Sequence, residues 1–272
     1  MIKKSCFSLF IIGDEILSGK RIDRHFEQAR KILSSRGLSV SWSCLLRDDK
    51  DLIKNFLKFS FENKNQVFSF GGIGSTPDDH TREASASALN LKLLPDLKAV
   101  QLIKDRCEFL NVKPGKERLR MAEFPEGSSL IPNPVNGVPG FSILNHFFLP
   151  GFPNMAWPMM EWVLDTYYYE CFSTFSEIDH SFSVNGLYES SVTPLLEFLT
   201  KKYPIFSIYS LPNSDIVPNN VAEASIELGI KCQRDFKNDR ELESLFTQAI
   251  IFFRNEINML GGKIIKENLE KR

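Results

Sequence analysis

The sequence predicts an α/β fold, a three-layer α/β/α sandwich, followed by a small C-terminal α+β domain. Through residues 1–172, apolar segments of strand length alternate with amphipathic helical segments, an order typical of a mostly parallel sheet with helices on both faces. The first segment, Phe7 to Ile12, is apolar at nearly every position, as in a strand buried on both faces. From residue 173 the order changes to β-α-β-β-α. We therefore predict domains at 1–172 and 173–262, with a frayed tail at 263–272.

Three strand-and-helix pairs are predicted in the first part of the chain. The first strand leads through a loop with two acids and two glycines into a helix that ends at Gly37, where a left-handed cap is expected. The second strand alternates over residues 38–46, and Asp48 and Asp49 open the helix after it. The third strand, at 67–70, runs into a glycine-rich segment.

The remaining elements follow from the same periodicities. Helices are expected after Pro95, at 117–122 and from about 154 to 169, with a turn-rich loop at 133–140 and a strand at 146–149. In the small domain, strands are expected at 178–184, 205–211 and 222–230, and helices at 192–202 and 242–253. No Gly-x-x-Gly loop occupies its helix junction, so we predict no RNA binding.

Composition and charge exclude several classes of protein. Of 272 residues, 43% are hydrophobic, which is ample for a globular core. The formal net charge is −1, so the sequence shows no polyanion-binding surface and predicts no nucleic-acid partner. The 23 phenylalanines are expected to fill the core rather than to form a stacking platform. No stretch is long and apolar enough to span a membrane, so no membrane association is predicted.

The cysteines and the N-terminus indicate a cytoplasmic protein. The five cysteines are isolated and form no Cys-x-x-Cys pair, which predicts buried free thiols in a reducing compartment and no zinc site. The first residues place lysines before an apolar run, as a signal peptide does. That run is short and breaks at Gly13 without a small-residue cleavage site, so we interpret it as a buried strand.

The main functional clue is the segment that follows the third strand. It contains three glycines, a Ser-Thr pair and two adjacent acids at the head of a helix: Gly71, Gly72, Gly74, Ser75, Thr76, Asp78 and Asp79. Glycines let backbone N–H groups approach a ligand closely, and a helix N-terminus favours an anion. Two carboxylates disfavour a phosphate unless a divalent cation such as Mg²⁺, or a water, lies between them.

Loops 13–19, 48–49 and 71–79 each follow a predicted strand. Ligands of parallel sheets bind beyond the carboxyl ends of the strands, so the three loops are expected at one rim. Taken alone, Asp48 is better explained as a helix cap, and the shared rim brings a functional role level with that explanation. Arg118 and Arg120 are candidate phosphate ligands, with a solvated helix face as the alternative that their spacing slightly favours.

The pattern Gly-Gly-x-Gly-x-Thr-Pro-x-Asp, with Thr81 and Glu83 after it, resembles the molybdopterin-binding (molybdenum cofactor biosynthesis) domain family. Within that family it is most similar to the competence/damage-inducible protein A-like branch. The similarity extends to 13–19, to Asp48-Asp49, to Pro139-Gly140 and 150–153, and in the small domain to Gly186 with Glu189-Ser190. It implies an α/β/α sandwich.

By position, the resemblance implies that Asp79 and Asp48 take part in the chemistry. It implies a phosphate- or pterin-binding loop of Gly71, Gly72, Gly74, Ser75 and Thr76, to which we add Ser18, Pro150 and Gly151 as candidates. Asp14, Asp78 and Asp79 are our candidate ligands for a divalent metal. Relatives in this branch are associated with metal-dependent cleavage of pyrophosphate bonds in molecules such as ADP-ribose. The expected ligand is thus a small nucleotide or pterin phosphate, and a homo-oligomer, a dimer or trimer, is expected.

Three departures from the family pattern bear on the ligand. Asp78 stands where cofactor-biosynthesis members usually have Arg, which favours a metal-bridged pyrophosphate over an anionic pterin. His25 stands at a usual Asn, and Asn136 at a usual Gly, although Asn tolerates left-handed backbone. The deamidase domain of longer relatives is missing, so the resemblance does not imply pyridine-nucleotide deamidation.

Three hypotheses result. The first is a phosphohydrolase in which the glycine segment holds a pyrophosphate, Asp79 with Asp48 or Asp14 positions a metal ion and water, and Arg118 or Arg120 neutralises charge. The second is a protein that binds molybdopterin or its adenylate without hydrolysing it. The third is a non-catalytic oligomeric scaffold.

Overall fold

The computed structural model describes residues 6–172, 178–212, 224–232 and 240–271. The chain divides into two compact units, Met1–Ser173 and Thr174–Arg272. The predicted boundary at 172/173 adjoins residues 173–177, which lie outside the described part of the chain. Each unit is described by itself.

The first unit contains a six-stranded sheet and a short two-stranded sheet. Its strands are β1 (Cys6–Ile12), β2 (Ser39–Leu46), β3 (Gln66–Phe70), β4 (Leu93–Pro95), β5 (Glu123–Pro125), β6 (Ser129–Ile131), β7 (Gly140–Ile143) and β8 (His146–Leu149). The main sheet has the order β2-β1-β3-β8-β7-β6, in which β2, β1, β3 and β8 run parallel, β7 pairs antiparallel with β8, and β6 pairs antiparallel with β7. The small sheet pairs β4 with β5.

The helices of this unit are α1 (Asp14–Leu17), α2 (His25–Ser34), α3 (Lys50–Glu62), α4 (Thr81–Ala88), α5 (Leu97–Phe109), α6 (Lys116–Leu119) and α7 (Pro153–Tyr167). Two 3₁₀ turns, Arg120–Ala122 and Tyr169–Cys171, complete the set. Asp49 caps α3 by accepting the Leu52 N–H at 2.8 Å, and Gly37 after α2 has the predicted left-handed φ of 69°. The prediction of a loop at 13–19 was wrong in part, because Asp14–Leu17 form the one-turn helix α1.

Alternating side chains of the central strands feed two separate cores, one on each face of the sheet. Phe7, Leu9 and Ile11 pack with α2 and α7, whereas Phe10 and Ile12 pack with α3, α4 and α5. The predicted three-layer α/β/α sandwich is therefore confirmed. Phenylalanines of β1, β3, β7 and β8 are among the largest fully buried side chains and fill this core as predicted, whereas others such as Phe109 and Phe152 are exposed.

The cysteines only partly match their prediction. All five are free, but Cys6 is exposed and Cys44 and Cys171 are half-buried, leaving Cys107 and Cys232 fully buried. The sequence prediction therefore overstated the burial of Cys6, Cys44 and Cys171.

The second unit is a four-stranded antiparallel sheet with two helices. Its elements are β9 (Ile178–Asn185), α8 (Glu189–Lys202), β10 (Ser207–Pro212), β11 (Ser225–Cys232), α9 (Arg240–Met259) and β12 (Lys263–Lys271), with strand order β10-β11-β9-β12. Residues 222 and 223 of the predicted third strand lie outside the described part of the chain.

The predicted frayed tail is instead β12, which pairs with β9 from Lys263 to Lys271. This prediction was wrong because β12 is an edge strand rich in Lys and Glu, a composition that protects sheet edges but hides the alternation that identifies strands. Within the described residues, no helix is both long enough and apolar enough to cross a membrane.

A buried histidine links the main sheet to α3. The His146 ring is fully buried, with Nδ1 2.9 Å from the Leu144 carbonyl and Nε2 2.7 Å from the Ser60 hydroxyl. Because a carbonyl can only accept, Nδ1 carries the proton and Nε2 is an acceptor, which shares the single Ser60 hydroxyl proton with the Leu57 carbonyl 2.9 Å from Ser60 Oγ. Burial lowers the pKa of His146 to about 4, so the ring is neutral in the folded chain near neutral pH.

We predict that His146 makes the fold sensitive to mild acid. Its pKa is lower in the folded chain than in the unfolded chain, so the unfolded chain takes up the proton first as pH falls. The stability from the neutral ring is complete above about pH 6.5 and is lost progressively towards pH 4. From pH 7 to pH 5 the loss should be about 2 kcal/mol in urea unfolding. His146→Phe should lack that part of the slope, and an unchanged slope would contradict the assignment.

Candidate functional site

A cleft of about 470 Å³ lies beyond the carboxyl ends of β1, β2, β3 and β8. Its lining includes Gly13 after β1, Asp48 after β2, Gly151 after β8 and most of residues 71–79, which follow β3 and are called the glycine loop here. The expected meeting of these loops at one rim is confirmed. This space is called the ligand cleft below.

Close packing requires glycine at the start of the glycine loop. Gly71 and Gly72 have φ of 103° and 69°, in the left-handed region that disfavours other residues. A Cβ on Gly71 would lie 2.2 Å from the Ile12 carbonyl oxygen, and one on Gly72 would lie 2.1 Å from the Thr81 hydroxyl oxygen. Thr81 itself donates from its N–H to Gly72 O and from its hydroxyl to Gly71 O. The loop is therefore pressed against β1 and α4.

The Asp79 carboxylate determines the shape of the glycine loop. Its Oδ1 accepts the Gly74 N–H at 2.8 Å, and its Oδ2 accepts the Thr76 N–H at 2.8 Å and the Thr76 hydroxyl. Hydrogen bonds to an ionised acceptor are about twice as strong as neutral ones. Asp79 thus acts through the loop, and direct metal binding would compete with these bonds.

Arg82 supports the same loop from α4, and sequence reasoning missed it. Its side chain is 3% exposed and donates to the carbonyl oxygens of Ile73 and, at 2.8 Å, Gly74. Burial lowers the pKa of Arg82, while the charge of Asp79 opposes that shift. The cation therefore serves loop structure instead of facing the ligand cleft.

The glycine loop keeps amide donors that no group among the described residues uses. In the part of the chain that the structure describes, the N–H groups of Gly72, Ile73 and Ser75 donate to no carbonyl or side chain, and all three residues line the ligand cleft. Unpaired N–H groups in a glycine-rich turn ahead of a helix favour an anion. The loop is therefore suited to phosphate oxygens.

Two acids at the rim differ in proton affinity. Asp48 is half-buried, and burial raises its pKa. Repulsion from Asp14, Glu15 and Asp78 raises the pKa further, while the hydrogen bond accepted from the Asp14 N–H at 2.9 Å lowers it. Asp14 is exposed, and the hydrogen bond from Arg47 Nε at 3.2 Å lowers its pKa. Neighbouring carboxylates with separated pKa values suit different roles, and Asp48 is the better proton acceptor.

The carboxylates do not form a protein-held metal centre. Among the residues that the structure describes, no group of three or more His, Cys, Asp or Glu side chains is placed to hold a metal ion. Of the predicted ligands, Asp79 is occupied by the loop and Asp14 by Arg47, which leaves Asp78 exposed at the cleft. The Thr76 hydroxyl, which has one proton and serves either Asp78 or Asp79 at a time, lowers the pKa of Asp78.

The predicted arginines lie away from the ligand cleft. Arg120 pairs with Glu83 at 3.4 Å, Arg118 contacts the Cys107 sulfur at 3.8 Å, and neither lines the cleft. The cation that does line it is Arg21, which has no carboxylate partner among the described side chains. Its position just beyond the acidic loop was the available signal. Ser18 lines an adjoining groove of about 600 Å³ together with Asp14.

His25 holds the loop after β8. Its Nε2 lies 3.2 Å from the Gly151 carbonyl, and its ring stacks on Phe70 at 4.6 Å between centroids. Since the carbonyl accepts, Nε2 carries the proton, and burial lowers the pKa of His25. Pro150 and Gly151 line the ligand cleft as predicted, and a Cβ on Gly151 would lie 3.4 Å from Gly71 Cα.

The fold and the cleft define the first unit as an α/β/α domain with a cleft at the carboxyl ends of its parallel strands. Residues 8–168 match the family described as the probable molybdopterin binding domain, and the chain belongs to this family.

Three comparisons place it further. A protein of Sulfurisphaera tokodaii is 27% identical over 260 residues, covering 94% of this chain and 96% of that protein. A CinA-like protein of Sulfurihydrogenibium sp. is 32% identical over 157 residues, covering 56% of this chain and 39% of that protein. The crystal structure of the protein CinA from Thermoplasma acidophilum has 27% identity and a TM-score of 0.53, covering 61% of this chain and 99% of that one. The chain is therefore similar to CinA-like proteins, as its motifs indicated.

We predict that Gly72→Ala will destabilise the first unit more than a matched control. Gly127→Ala introduces the same left-handed strain at φ 85° but meets no atom within 4 Å. The control should lower the free energy of unfolding by about 1 kcal/mol. Gly72→Ala should cost clearly more, because Thr81 must move and break its bonds to the loop. Equal urea midpoints for the two variants would contradict this packing.

Proposed function

We propose that this protein hydrolyses the pyrophosphate bond of nucleotide-diphosphate compounds such as ADP-ribose or a flavin dinucleotide. The observation that carries the proposal is the meeting, in one cleft, of unpaired loop amides and a carboxylate of raised pKa. The amides of the glycine loop suit phosphate oxygens, and Asp48 suits a proton acceptor.

Each residue then has a defined task. The N–H groups of Gly72, Ile73 and Ser75 bind the pyrophosphate and stabilise charge that develops on its oxygens. Asp48 accepts a proton from a water that attacks one phosphorus, the bridging P–O bond breaks, and two monophosphates leave. Asp79 and Arg82 hold the loop in place, and Arg21 neutralises negative charge at the cleft.

A divalent cation is part of the proposal. Mg²⁺ is commonly held by one or two carboxylates together with substrate phosphates, and it neutralises phosphate charge and makes a bound water more acidic. Asp78, exposed at the cleft, fits as such a carboxylate ligand, and no group of three protein ligands is formed among the described residues. We therefore expect the cation to arrive with the substrate.

We predict that Asp48→Asn will lower kcat by about a hundredfold or more, because the proton acceptor is lost. The measurement is release of nucleoside monophosphate from ADP-ribose and from a flavin dinucleotide, with Mg²⁺ or with a chelator. Asp51→Asn, an exposed acid in the first turn of α3, is the matched control and should keep full activity. Activity retained in Asp48→Asn, or none in the wild-type chain over such substrates, would refute the proposal.

A second candidate is binding of molybdopterin or its adenylate without hydrolysis. It is favoured by membership of the molybdopterin-binding domain family and by the absence of a three-ligand metal group among the described residues. It predicts a rise in melting temperature with molybdopterin that a chelator does not affect. If neither nucleotide nor pterin changes the melting temperature, the remaining hypothesis is a non-catalytic scaffold. Under each of the three hypotheses, a dimer or trimer stays a prediction.

Arg21→Ala tests the revised assignment of the cation. We expect KM for ADP-ribose to rise about tenfold with little change in stability, because a charge-assisted contact to phosphate is lost at an exposed position. Arg24→Ala, an exposed arginine outside the cleft lining, is the control. Equal KM values for the two variants would remove Arg21 from the site.

A further inference from the structure

Part of the lining of the ligand cleft is apolar and is called the apolar wall below. Met121, Val138, Phe152 and Met155 form it, and the Phe152 side chain is 58% exposed. Flexible methionines and an accessible aromatic ring suit the faces of a planar heterocycle. Binding of phosphate alone gives these apolar side chains no role.

The same cleft is also lined by a buried polar residue. Asn133, after β6, is 6% exposed and lines the ligand cleft. Its Oδ1 accepts the N–H of Val135 at 3.0 Å and of Asn136 at 3.4 Å, and its backbone carbonyl accepts the Gly137 N–H at 3.0 Å. These bonds fix the amide plane, with the oxygen turned into the loop.

The amide nitrogen of Asn133 is consequently left as a donor. Nδ2 donates to no acceptor in the part of the chain that the structure describes, and it is not one of the fully buried atoms without a partner, so this donor stays accessible to solvent. A ligand acceptor that replaces solvent at this donor would bond to a side chain whose orientation is already fixed, so little side-chain ordering is needed on binding. Asn136 offers a contrast, because its Nδ2 already contacts the Met155 sulfur at 3.4 Å while its Oδ1 accepts the Val138 N–H.

We propose that Asn133 is a specificity-determining residue that donates a hydrogen bond to an acceptor atom on the heteroaromatic ring of the ligand. The ring packs on the apolar wall while its phosphates bind the glycine loop, so the cleft selects purine- or pterin-bearing phosphates over phosphates that lack a ring. The inference rests on the proposed function in one respect, namely that the same ligand carries phosphates on the glycine loop.

The test uses the isosteric change Asn133→Asp in the full chain. Aspartate keeps the oxygen that closes the turn but removes the donor, so the urea midpoint should stay near that of the wild-type chain. Binding of ADP-ribose and of inorganic pyrophosphate is measured by calorimetry, with Asp48→Asn as a common background to prevent turnover. We expect about tenfold weaker ADP-ribose binding from the lost donor, with pyrophosphate changed less than about twofold. Asn136→Asp adds the same charge in the same cleft and should alter both ligands alike.

A second measurement on the unsubstituted Asn133 chain does not depend on the folding of a variant at this position. Among 1-, 3- and 7-deaza analogues of AMP, which each lack one ring acceptor, one should bind more weakly than AMP. In Asn133→Asp that analogue should lose nothing further relative to AMP.

Three results would overturn the inference. They are equal losses for ADP-ribose and pyrophosphate, no loss for either, or equal affinity of AMP and all three analogues. Pyrophosphate binding with no gain from the ring would refute the role of Asn133 and leave the phosphate site intact. No binding of any of these ligands would refute the proposed function together with the inference.

Discussion

The site depends on a loop held between two opposite charges. Asp79 accepts backbone N–H groups of the glycine loop on one side, and buried Arg82 donates to two of its carbonyl oxygens on the other. Both residues lie beside the N-terminus of α4, so the start of one helix fixes the loop that precedes it. Ordering a glycine-rich segment is costly in backbone entropy, and these bonds offset that cost before any ligand arrives. The amides left over are thereby placed in advance for an anion.

The sheet sets the distances between this loop and its neighbours. Gly71 lies against the end of β1, where a Cβ would approach the Ile12 carbonyl to 2.2 Å, and the loop containing Gly151 approaches Gly71 from β8. Since β1, β3 and β8 are adjacent and parallel, their carboxyl ends stay in register and their loops meet. His25 adds a contact from α2 to the Gly151 carbonyl. The cleft is therefore a property of strand order as much as of the glycine motif.

Sequence periodicity was enough for the three-layer fold and the shared rim, because alternating burial along β1 and helical spacing in α2, α3 and α7 report which faces are covered. It was not enough for side-chain direction. Arg118 and Arg120 resembled phosphate ligands, yet Arg120 turns to Glu83 and Arg118 to Cys107. Arg82 and Asn133 escaped notice because their roles depend on loop carbonyls and loop amides that no pattern displays. The charged edge strand β12 lacks the alternation that would reveal it.

The charges at the rim bear on which form of phosphate ligand the cleft would favour. Asp48 and Asp78 line the ligand cleft, and Asp14 lies beside them. Arg21 is a cation that lines the cleft, whereas the Arg82 guanidinium donates to carbonyl oxygens of the glycine loop. A pyrophosphate entering this field meets more negative than positive side-chain charge, so a cation that accompanies the phosphates makes binding favourable. Repulsion among the same acids contributes to the raised pKa of Asp48, which makes it a proton acceptor. The acids that oppose a bare anion are thus the groups that would help to hydrolyse a metal-bound one.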